Sequence, residues 1–265
     1  MAMKEIRSDW NEQASVDHVY AAIGIPKTKI NPMQTLNIDD VPFLRSILAD
    51  AQAVLDVGCG YGRTIIPVST YCRGTTVGID LSDEMLERAR EYSNHANRKP
   101  ALIHASAHKL PFRPEVFDIV YSLLVFQHLP RNLAKESVDE VWHVLKQGGL
   151  ACIQFPNAFT FDSILALLLK FVWTRILRRP LRPSFMRFYT RKQIKMIFRK
   201  FNILRIRGSD FSLLPSSIAL YRRRIIIPIP RRHFLNSLSR LLQRESQRHS
   251  SLVNLAFNFL AEGTK

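Results

Sequence analysis

The feature that most constrains the fold of this chain is a glycine-rich segment that follows a short apolar run. Residues 54–63 read Val-Leu-Asp-Val-Gly-Cys-Gly-Tyr-Gly-Arg, with glycine at positions 58, 60 and 62. The apolar run over 53–57 is typical of a parallel strand that is buried on both faces. Glycine accepts positive φ and has no Cβ, so a ligand can lie against the main chain at Gly58 and Gly60. The segment predicts a strand, a ligand-binding loop and the start of a helix.

The spacing of these glycines argues against a dinucleotide as the ligand. The fingerprint of nicotinamide and flavin sites is G-x-G-x-x-G. Here the third glycine comes one position early, and Arg63 occupies the sixth place.

A second acid supports a nucleoside-containing ligand. Residues 75–79 predict another apolar strand, and Asp80 stands at its C-terminal end, 20 residues after Gly60. In open α/β sheets a carboxylate at that place binds a ribose. Ser82 is suited to cap the next helix, so the alternative is that Asp80 only belongs to a capping turn. The neighbouring glycine loop favours the ribose-binding role.

On these residues the chain resembles the class I S-adenosylmethionine-dependent methyltransferases, in particular the small-molecule group that includes the ubiquinone and menaquinone methyltransferases. The resemblance is good over residues 51–157 and loose on both sides. It includes the segments Leu110-Pro111-Phe112, Phe117-Asp118-Ile119-Val120 and Leu145–Leu150, the last with Gln147 where the family usually has proline. The resemblance implies an α/β fold, a doubly wound and mostly parallel seven-stranded Rossmann-like sheet, with S-adenosylmethionine as cofactor.

The resemblance also implies a set of cofactor-binding residues: Asp56, Gly58, Cys59, Gly60, Asp80, Leu81, Ser106, Ala107 and Leu123. Asp56 and the glycines would border the methionine part of the cofactor, and Asp80 would bind the ribose hydroxyls. Ser106 departs from the family, which often has an acid there that binds the adenine amino group. A serine hydroxyl still accepts a hydrogen bond, but without the charge assistance of a carboxylate.

Methyl transfer requires mainly that the acceptor be held in line with the carbon–sulfur bond. His128, beyond the fourth predicted strand, is the candidate general base for a hydroxyl acceptor. The simpler interpretation is a structural histidine that fixes the loop before Pro130. Asn157, just after strand five, is a weaker candidate for orienting the acceptor. No metal is expected.

The alternation of strand and helix patterns predicts the doubly wound sheet. Strands are expected at 53–58, 75–80, 101–106, 117–123 and 150–155, and helices at 62–72, 82–97 and 131–146. Residues 1–50 form an expected N-terminal helical cap, with helices at 9–24 and 38–50. By the resemblance this cap folds over the cofactor with Trp10, His18 and Tyr20.

Residues 158–265 are expected to complete the same domain as the Rossmann-like core at 51–157. Thr190 and Gln193 form a capping box that predicts a helix. Strand six is expected at 201–207 and an antiparallel final strand at 254–261. Two insertions, 158–189 and 209–252, interrupt these elements.

Charge is divided unevenly along the chain. Residues 1–156 contain 16 Lys and Arg against 18 Asp and Glu, a net charge of −2, whereas residues 157–265 contain 22 against 4, a net charge of +18. For any single basic residue the simplest interpretation is a position on the solvent-exposed face of a helix. Basic and apolar residues are interleaved at 164–179 and 222–232, however, and this combination suits an anionic membrane surface.

Nucleic acid is the competing partner for so basic a region. The Asp/Asn-Pro-Pro-aromatic motif of amino-methylating enzymes is replaced by Ser-Leu-Leu-Val at 122–125, and no RNA-binding module is recognisable. A further alternative is a cofactor-binding regulatory protein without transfer activity.

The compartment is inferred from the cysteines and from the apolar segments. Cys59, Cys72 and Cys152 have neither metal-ligand spacing nor an even count, which favours a reducing cytoplasm. The first 20 residues lack the apolar core of a signal peptide. The apolar stretch 164–177 is interrupted by Lys170 and Arg175 and is too short to cross a bilayer. We expect a cytoplasmic, metal-independent methyltransferase, peripheral at the membrane, that acts on a small-molecule or lipid-linked acceptor.

Overall fold

A seven-stranded sheet with the order β3-β2-β1-β4-β5-β9-β6 forms the centre of the computed structural model. The structure describes residues 2–13, 42–48, 50–94, 99–160, 163–164, 171–176, 178, 186–209, 217–220, 225–228, 252–256 and 258–265. The strands of the sheet are β1 (Ala53–Val57), β2 (Thr75–Asp80), β3 (Ala101–His104), β4 (Phe117–Ser122), β5 (Leu145–Pro156), β6 (Ile203–Ser209) and β9 (Asn258–Thr264). Strand β9 is antiparallel to both β5 and β6, and the pairs among β1 to β5 are parallel. The predicted doubly wound, mostly parallel sheet is confirmed.

Six helices accompany the strands in the described part of the chain. They are α1 (Ala2–Gln13), α2 (Pro42–Ile47), α3 (Ile65–Tyr71), α4 (Asp83–Ser93), α5 (Arg131–Val144) and α6 (Arg191–Ile197). Ser82 caps α4 by accepting a hydrogen bond from Met85 N at 3.2 Å, as its position predicts. The capping box of Thr190 and Gln193 opens α6, which confirms that prediction.

The sheet buries an apolar cluster on each face because consecutive strand residues point to opposite sides. In β1, Leu55 and Val57 belong to the larger cluster, which includes side chains of α5 and α6, whereas Val54 belongs to the cluster that includes side chains of α2, α3 and α4. In β5 the same alternation places Ile153 in the larger cluster and Cys152 in the other one. The central strands are therefore buried on both sides, and their carboxyl ends meet at one edge.

Several boundaries differ from the prediction: β3 ends at His104 rather than residue 106, β6 lies at 203–209 rather than 201–207, and α1, β5 and β9 also differ. Helix α1 lies at 2–13 rather than beginning at residue 9, and residues 14–41 are outside the described part. Strand β5 begins at Leu145 because the expected turn is a bulge in which Gly148 has φ +74°. Strand β9 starts four residues later than predicted, after a 3₁₀ turn over Leu252–Leu255.

The two insertions are described only in part. In the second one, β7 (Ser217–Leu220) and β8 (Ile225–Pro228) form a two-stranded antiparallel sheet that the sequence patterns did not predict. In the first one, a π-helical turn spans Val172–Ile176. Within the residues that the structure describes, none of the helices has the length and apolar character needed to span a membrane.

Candidate functional site

The glycine loop is fastened to the carboxyl end of β2 by hydrogen bonds. The backbone N–H groups of Gly58 and Cys59 donate to Ile79 O at 2.8 and 2.9 Å. The next N–H group, that of Gly60, donates to Asp80 Oδ2 at 2.8 Å. The loop therefore lies across the end of β2, so the glycine motif and Asp80 form one structure.

The three glycines of the loop have different spatial roles, although all have positive φ. A Cβ at Gly58 would lie 2.3 Å from Val125 Cγ2, and one at Gly62 would lie 2.5 Å from Ile66 Cδ1. A Cβ at Gly60 would meet no described atom within 4 Å. Gly58 and Gly62 are thus required by the packing of the chain itself, whereas the described residues leave space for a ligand beside Gly60.

Asp80 is held with both carboxylate oxygens in fixed positions. Oδ1 accepts the N–H of Ser82 at 2.9 Å, while Oδ2 accepts that of Gly60. Burial raises the pKa of Asp80, and the N–H groups of Ser82, Gly60 and Leu81 act in the opposite direction by stabilising the carboxylate. Each carboxylate oxygen can accept about two hydrogen bonds, so both oxygens keep capacity for the hydroxyls of a ribose.

Asp56 lies beneath the loop rather than on its surface. Its side chain is 1% exposed, and Oδ2 accepts the Thr64 hydroxyl at 2.8 Å. Burial raises the pKa of Asp56 to about 7, opposed by the hydrogen bond from Thr64. This bond connects the end of β1 to the residue before α3, so Asp56 fixes the two ends of the glycine loop relative to each other.

The side chain of Cys59 is also turned away from the loop surface. A Cβ on Gly78 would lie 2.8 Å from its sulfur, so Cys59 packs against β2. Burial raises the pKa of the Cys59 thiol. The Cys59 N–H donates to Ile79 O, and its carbonyl accepts the N–H of Gly62 at 2.9 Å. Cys59 therefore shapes the loop, and its side chain does not face a ligand there.

The residues expected around an adenine lie at the ends of β2 and β3. Leu81 O is 3.0 Å from His104 Nε2, and Ala105 N donates to Asp80 O at 3.0 Å. Ser106 follows directly, and its Oγ lies 2.6 Å from His108 Nδ1. When the Ser106 hydroxyl donates its hydrogen bond to Nδ1, the lone pairs of its oxygen remain for a ligand.

The two remaining apolar residues of the expected set lie in different parts of the core. Ala107 is buried in the larger apolar cluster, and Leu123 is half-buried against the other one, just beyond β4. Both stand at the same edge of the sheet as the glycine loop, where ligands bind in open α/β folds.

His128 lies in a short 3₁₀ turn, Phe126–His128, after β4. Its Nε2 is 3.1 Å from Gln127 Nε2, and its ring makes an edge contact with Trp10 at 4.9 Å between centroids. The residue that precedes this turn, Val125, is the one that excludes a side chain from position 58. The turn with His128 therefore lies against the glycine loop.

Trp10 also places α1 over the site. It packs against a small cluster formed by Tyr61 of the glycine loop and Met85 of α4. Arg7 and Asp83 form an ion pair between α1 and α4. Helix α1 thus connects the glycine loop, α4 and the His128 turn; His18 and Tyr20, the other expected cap residues, lie outside the described part.

Asn157 has its side-chain groups engaged in the protein. It is fully buried, and its Nδ2 donates to Asn254 O at 2.8 Å and Ala256 O at 2.9 Å. Its Oδ1 accepts the N–H of Phe159 at 3.0 Å. Both amide protons are used, so the structure favours a structural role over the expected contact with an acceptor.

Tyr61 lies in the glycine loop and is a further candidate site residue that sequence reasoning did not identify. Its hydroxyl is buried, and no described group hydrogen-bonds to it. Burial raises the pKa of Tyr61 to about 12. An aromatic residue between two glycines of a ligand loop was the signal that could have identified it.

Comparison with known proteins gives a consistent result for the central region. Residues 54–149 match the family model described as a methyltransferase domain. Sterol 24-C-methyltransferase of Pneumocystis carinii is 33% identical over 110 residues, which are 40% of this chain and 28% of that protein. Demethylmenaquinone methyltransferase of Staphylococcus haemolyticus is 33% identical over 123 residues, 44% of this chain and 50% of that protein. The chain thus matches only about a quarter to a half of the length of these relatives.

Two solved structures share the architecture along nearly the whole chain. Magnesium protoporphyrin IX methyltransferase from Synechocystis, with bound SAH, gives a TM-score of 0.62 at 14% identity over 100% of both chains. A methyltransferase from Thermotoga maritima, described as a possible histamine N-methyltransferase, gives 0.58 at 14% identity over 97% of this chain and 98% of that one. At this level of identity the likeness establishes the fold.

Proposed function

We propose that this chain, which belongs to the class I S-adenosylmethionine-dependent methyltransferases, transfers a methyl group from S-adenosylmethionine to a small-molecule or lipid-linked acceptor. The observation that carries the proposal is the space beside Gly60, where no described atom lies within 4 Å of an added Cβ, next to the fixed carboxylate of Asp80. S-adenosylmethionine would supply an electrophilic methyl group on its sulfonium. The protein has to bind it, exclude water and orient the acceptor.

The residues present suit this cofactor. Asp80 offers carboxylate lone pairs at the place where a ribose binds in such sheets, and Gly60 lets the ligand approach the main chain. The buried Tyr61 hydroxyl, unpaired among the described residues, provides a further polar atom beside the loop. The turn with His128 would form the acceptor side, with His128 as the candidate general base.

The relatives support a small organic acceptor. Their names specify a sterol, a demethylmenaquinone and, for a structural neighbour, magnesium protoporphyrin IX. These comparisons favour the small-molecule acceptor over the nucleic-acid and non-catalytic alternatives. We propose that the acceptor of this chain has comparable apolar character.

We place the protein in the cytoplasm, in contact with an anionic membrane. Cys59, Cys72 and Cys152 are all buried thiols, in keeping with a reducing compartment. Directly after β5, the first insertion exposes large apolar side chains: Phe159, Ile164, Phe171, Val172 and Ile176. Arg175 and Arg178 are exposed among them, and residues 157–265 have a net charge of +18. An insertion of this composition, which begins at the carboxyl end of β5, suits docking on anionic lipid.

Liposome co-sedimentation tests this docking. We expect the protein to pellet with vesicles that contain anionic lipid and to be partly released as salt rises, because the Debye length falls from about 10 Å at 0.1 M to about 3 Å at 1 M. Phe171→Ser should reduce binding, whereas the matched control Met196→Ser should not; both side chains are 58% exposed. If the protein stays out of the vesicle pellet and binds RNA tightly at physiological salt, the partner would be nucleic acid rather than an anionic membrane.

Ser106 allows the adenine end of the site to be tested. Ser106→Asp should tighten cofactor binding, because an ionised acceptor makes a stronger hydrogen bond to an amino group, and Ser106→Ala should weaken it. Calorimetry with S-adenosylhomocysteine measures both changes, and an analogue without the adenine amino group should not gain from the aspartate. Weaker binding by Ser106→Asp would mean that this residue does not face the adenine.

The transfer activity itself is tested with methyl-labelled cofactor and a fractionated lysate. Label should enter the lipid or small-molecule fraction, and the Asp80→Ala variant should transfer little. Label found only in nucleic acid would refute the proposed acceptor class, and the absence of cofactor binding would refute the enzyme assignment.

A further inference from the structure

The first insertion leaves the sheet after β5 and returns to it at Arg187–Tyr189, here called the return segment. Tyr189 N donates to Pro156 O at 2.8 Å, and Ala158 N donates to Tyr189 O at 3.0 Å. Asn157 and Tyr189 form a parallel bridge. The return segment therefore extends the hydrogen-bonded ladder at the carboxyl end of β5.

The same segment binds the three carbonyl groups of the His128 turn. Tyr189 Oη donates to Phe126 O at 3.1 Å. Arg187 donates twice: its N–H to Gln127 O at 2.7 Å, and its guanidinium to His128 O at 3.0 Å. Within the turn, Leu129 N–H also donates to Phe126 O at 3.3 Å. The carbonyls of Gln127 and His128 accept from Arg187 instead, so the shape of the turn depends in part on the return segment.

The position of this turn matters for the chemistry. Val125, at its start, packs where a side chain of Gly58 would be, and the ring of His128 contacts Trp10. A displacement of the turn would shift the candidate base and the acceptor-facing surface relative to the glycine loop. Misplacement by about 1 Å can reduce the rate of a reaction about 10²-fold.

We propose that Arg187 is a positioning residue, which fixes the His128 turn through two hydrogen bonds and so joins the first insertion to the acceptor side of the site. This rests on the proposed methyl transfer. The two anchors of the return segment differ in character. Tyr189 is fully buried, and its ring is 4.9 Å from that of Phe155, so it belongs to the core. Arg187 is half-buried, and its backbone bond to Gln127 is retained when the side chain changes.

The variant Arg187→Gln tests the proposal beside Arg199→Gln, which removes the same charge from an exposed site on the turn after α6. With the acceptor identified in the labelling experiment, Arg187→Gln should lower kcat about 10²-fold, with KM and cofactor affinity within about twofold of wild type. Arg187→Lys retains a donor and should recover part of the rate. Arg199→Gln should behave as wild type.

Two measurements test the geometry without an assay of activity. The N–H groups of His128 and Leu129 bond within the turn, to Val125 O and Phe126 O. Hydrogen exchange at these two amides should become faster in Arg187→Gln, and the imidazole NMR signals of His128 should shift; neither should change in Arg199→Gln.

Three results would overturn the positioning role. One is an unchanged exchange rate and His128 spectrum in Arg187→Gln. Another is an unchanged kcat in that variant. The third is a rise in KM alone, which would assign Arg187 to acceptor binding. Failure of wild-type protein to bind the cofactor would instead contradict the proposed function, and the exchange and NMR measurements would still decide the role of Arg187.

Discussion

Asp80→Ala is expected to weaken cofactor binding by about 1.5 to 3 kcal/mol, the usual contribution of hydrogen bonds to a charged group. This corresponds to an increase in Kd of roughly 10- to 150-fold. The carboxylate has two roles: it would bind the ribose hydroxyls, and it accepts the N–H groups of Gly60 and Ser82 at 2.8 and 2.9 Å. Its removal leaves these two donors without their acceptor and loosens the glycine loop.

Calorimetry with S-adenosylhomocysteine and thermal unfolding separate the two roles. Glu84→Ala, which removes an exposed acid from the first turn of α4, is the matched control and should bind normally. Asp80→Asn retains one side-chain oxygen and should fall between wild type and Asp80→Ala. An unchanged Kd in Asp80→Ala would remove this residue from the site.

Gly60→Ala is expected to raise the Kd of the cofactor by about 5- to 150-fold, since overfilling a packed site costs about 1 to 3 kcal/mol. The added methyl group would occupy the space that we assign to the ligand, where it meets no described atom within 4 Å. The apo protein should remain folded and lose about 1 to 2 kcal/mol of stability, the cost of placing a non-glycine residue in the left-handed region.

Two other glycines provide the controls. Gly148 also has positive φ, and a methyl group added there would meet no described atom within 4 Å, but it lies in the bulge of β5. Gly148→Ala should lose similar stability while binding the cofactor normally. Gly58→Ala should be much less stable than either, because its Cβ would lie 2.3 Å from Val125. Normal cofactor binding by Gly60→Ala would show that the ligand does not approach the loop there.

The sequence was a good guide to the sheet and a partial guide to the site. The alternation of apolar strands with amphipathic helices predicts where β1 to β5 occur along the chain, because each pattern depends on residues that are close in sequence. The boundaries at β5 and β9 were predicted less well. The bulge at Gly148 and the 3₁₀ turn before β9 depend on how β5 pairs with β4 and β9, which are distant in sequence.

For the site, local motifs identify which residues meet but not which way they point. The sequence treats the glycines at 58 and 60 alike, yet Gly58 is required by its contact with Val125, whereas no described atom lies within 4 Å of a Cβ at Gly60. The sequence pattern treats Asp56 and Asp80 alike. In the structure, however, the Asp56 side chain is buried beneath the loop, where it accepts a hydrogen bond from the Thr64 hydroxyl. Orientation of this kind depends on contacts between residues that are far apart in sequence.

The sequence by itself determined the fold class, the glycine loop with Asp80, and the uneven distribution of charge. Each of these follows from residue types and their spacing along the chain. Only the tertiary structure brought Arg187 to the His128 turn, 59 residues earlier in the chain, and Trp10 to the same turn. Neither contact has a sequence pattern, because both depend on how the sheet brings the chain back to one edge. Packing between distant parts of the described chain therefore decided the side of the site where we propose that the acceptor binds.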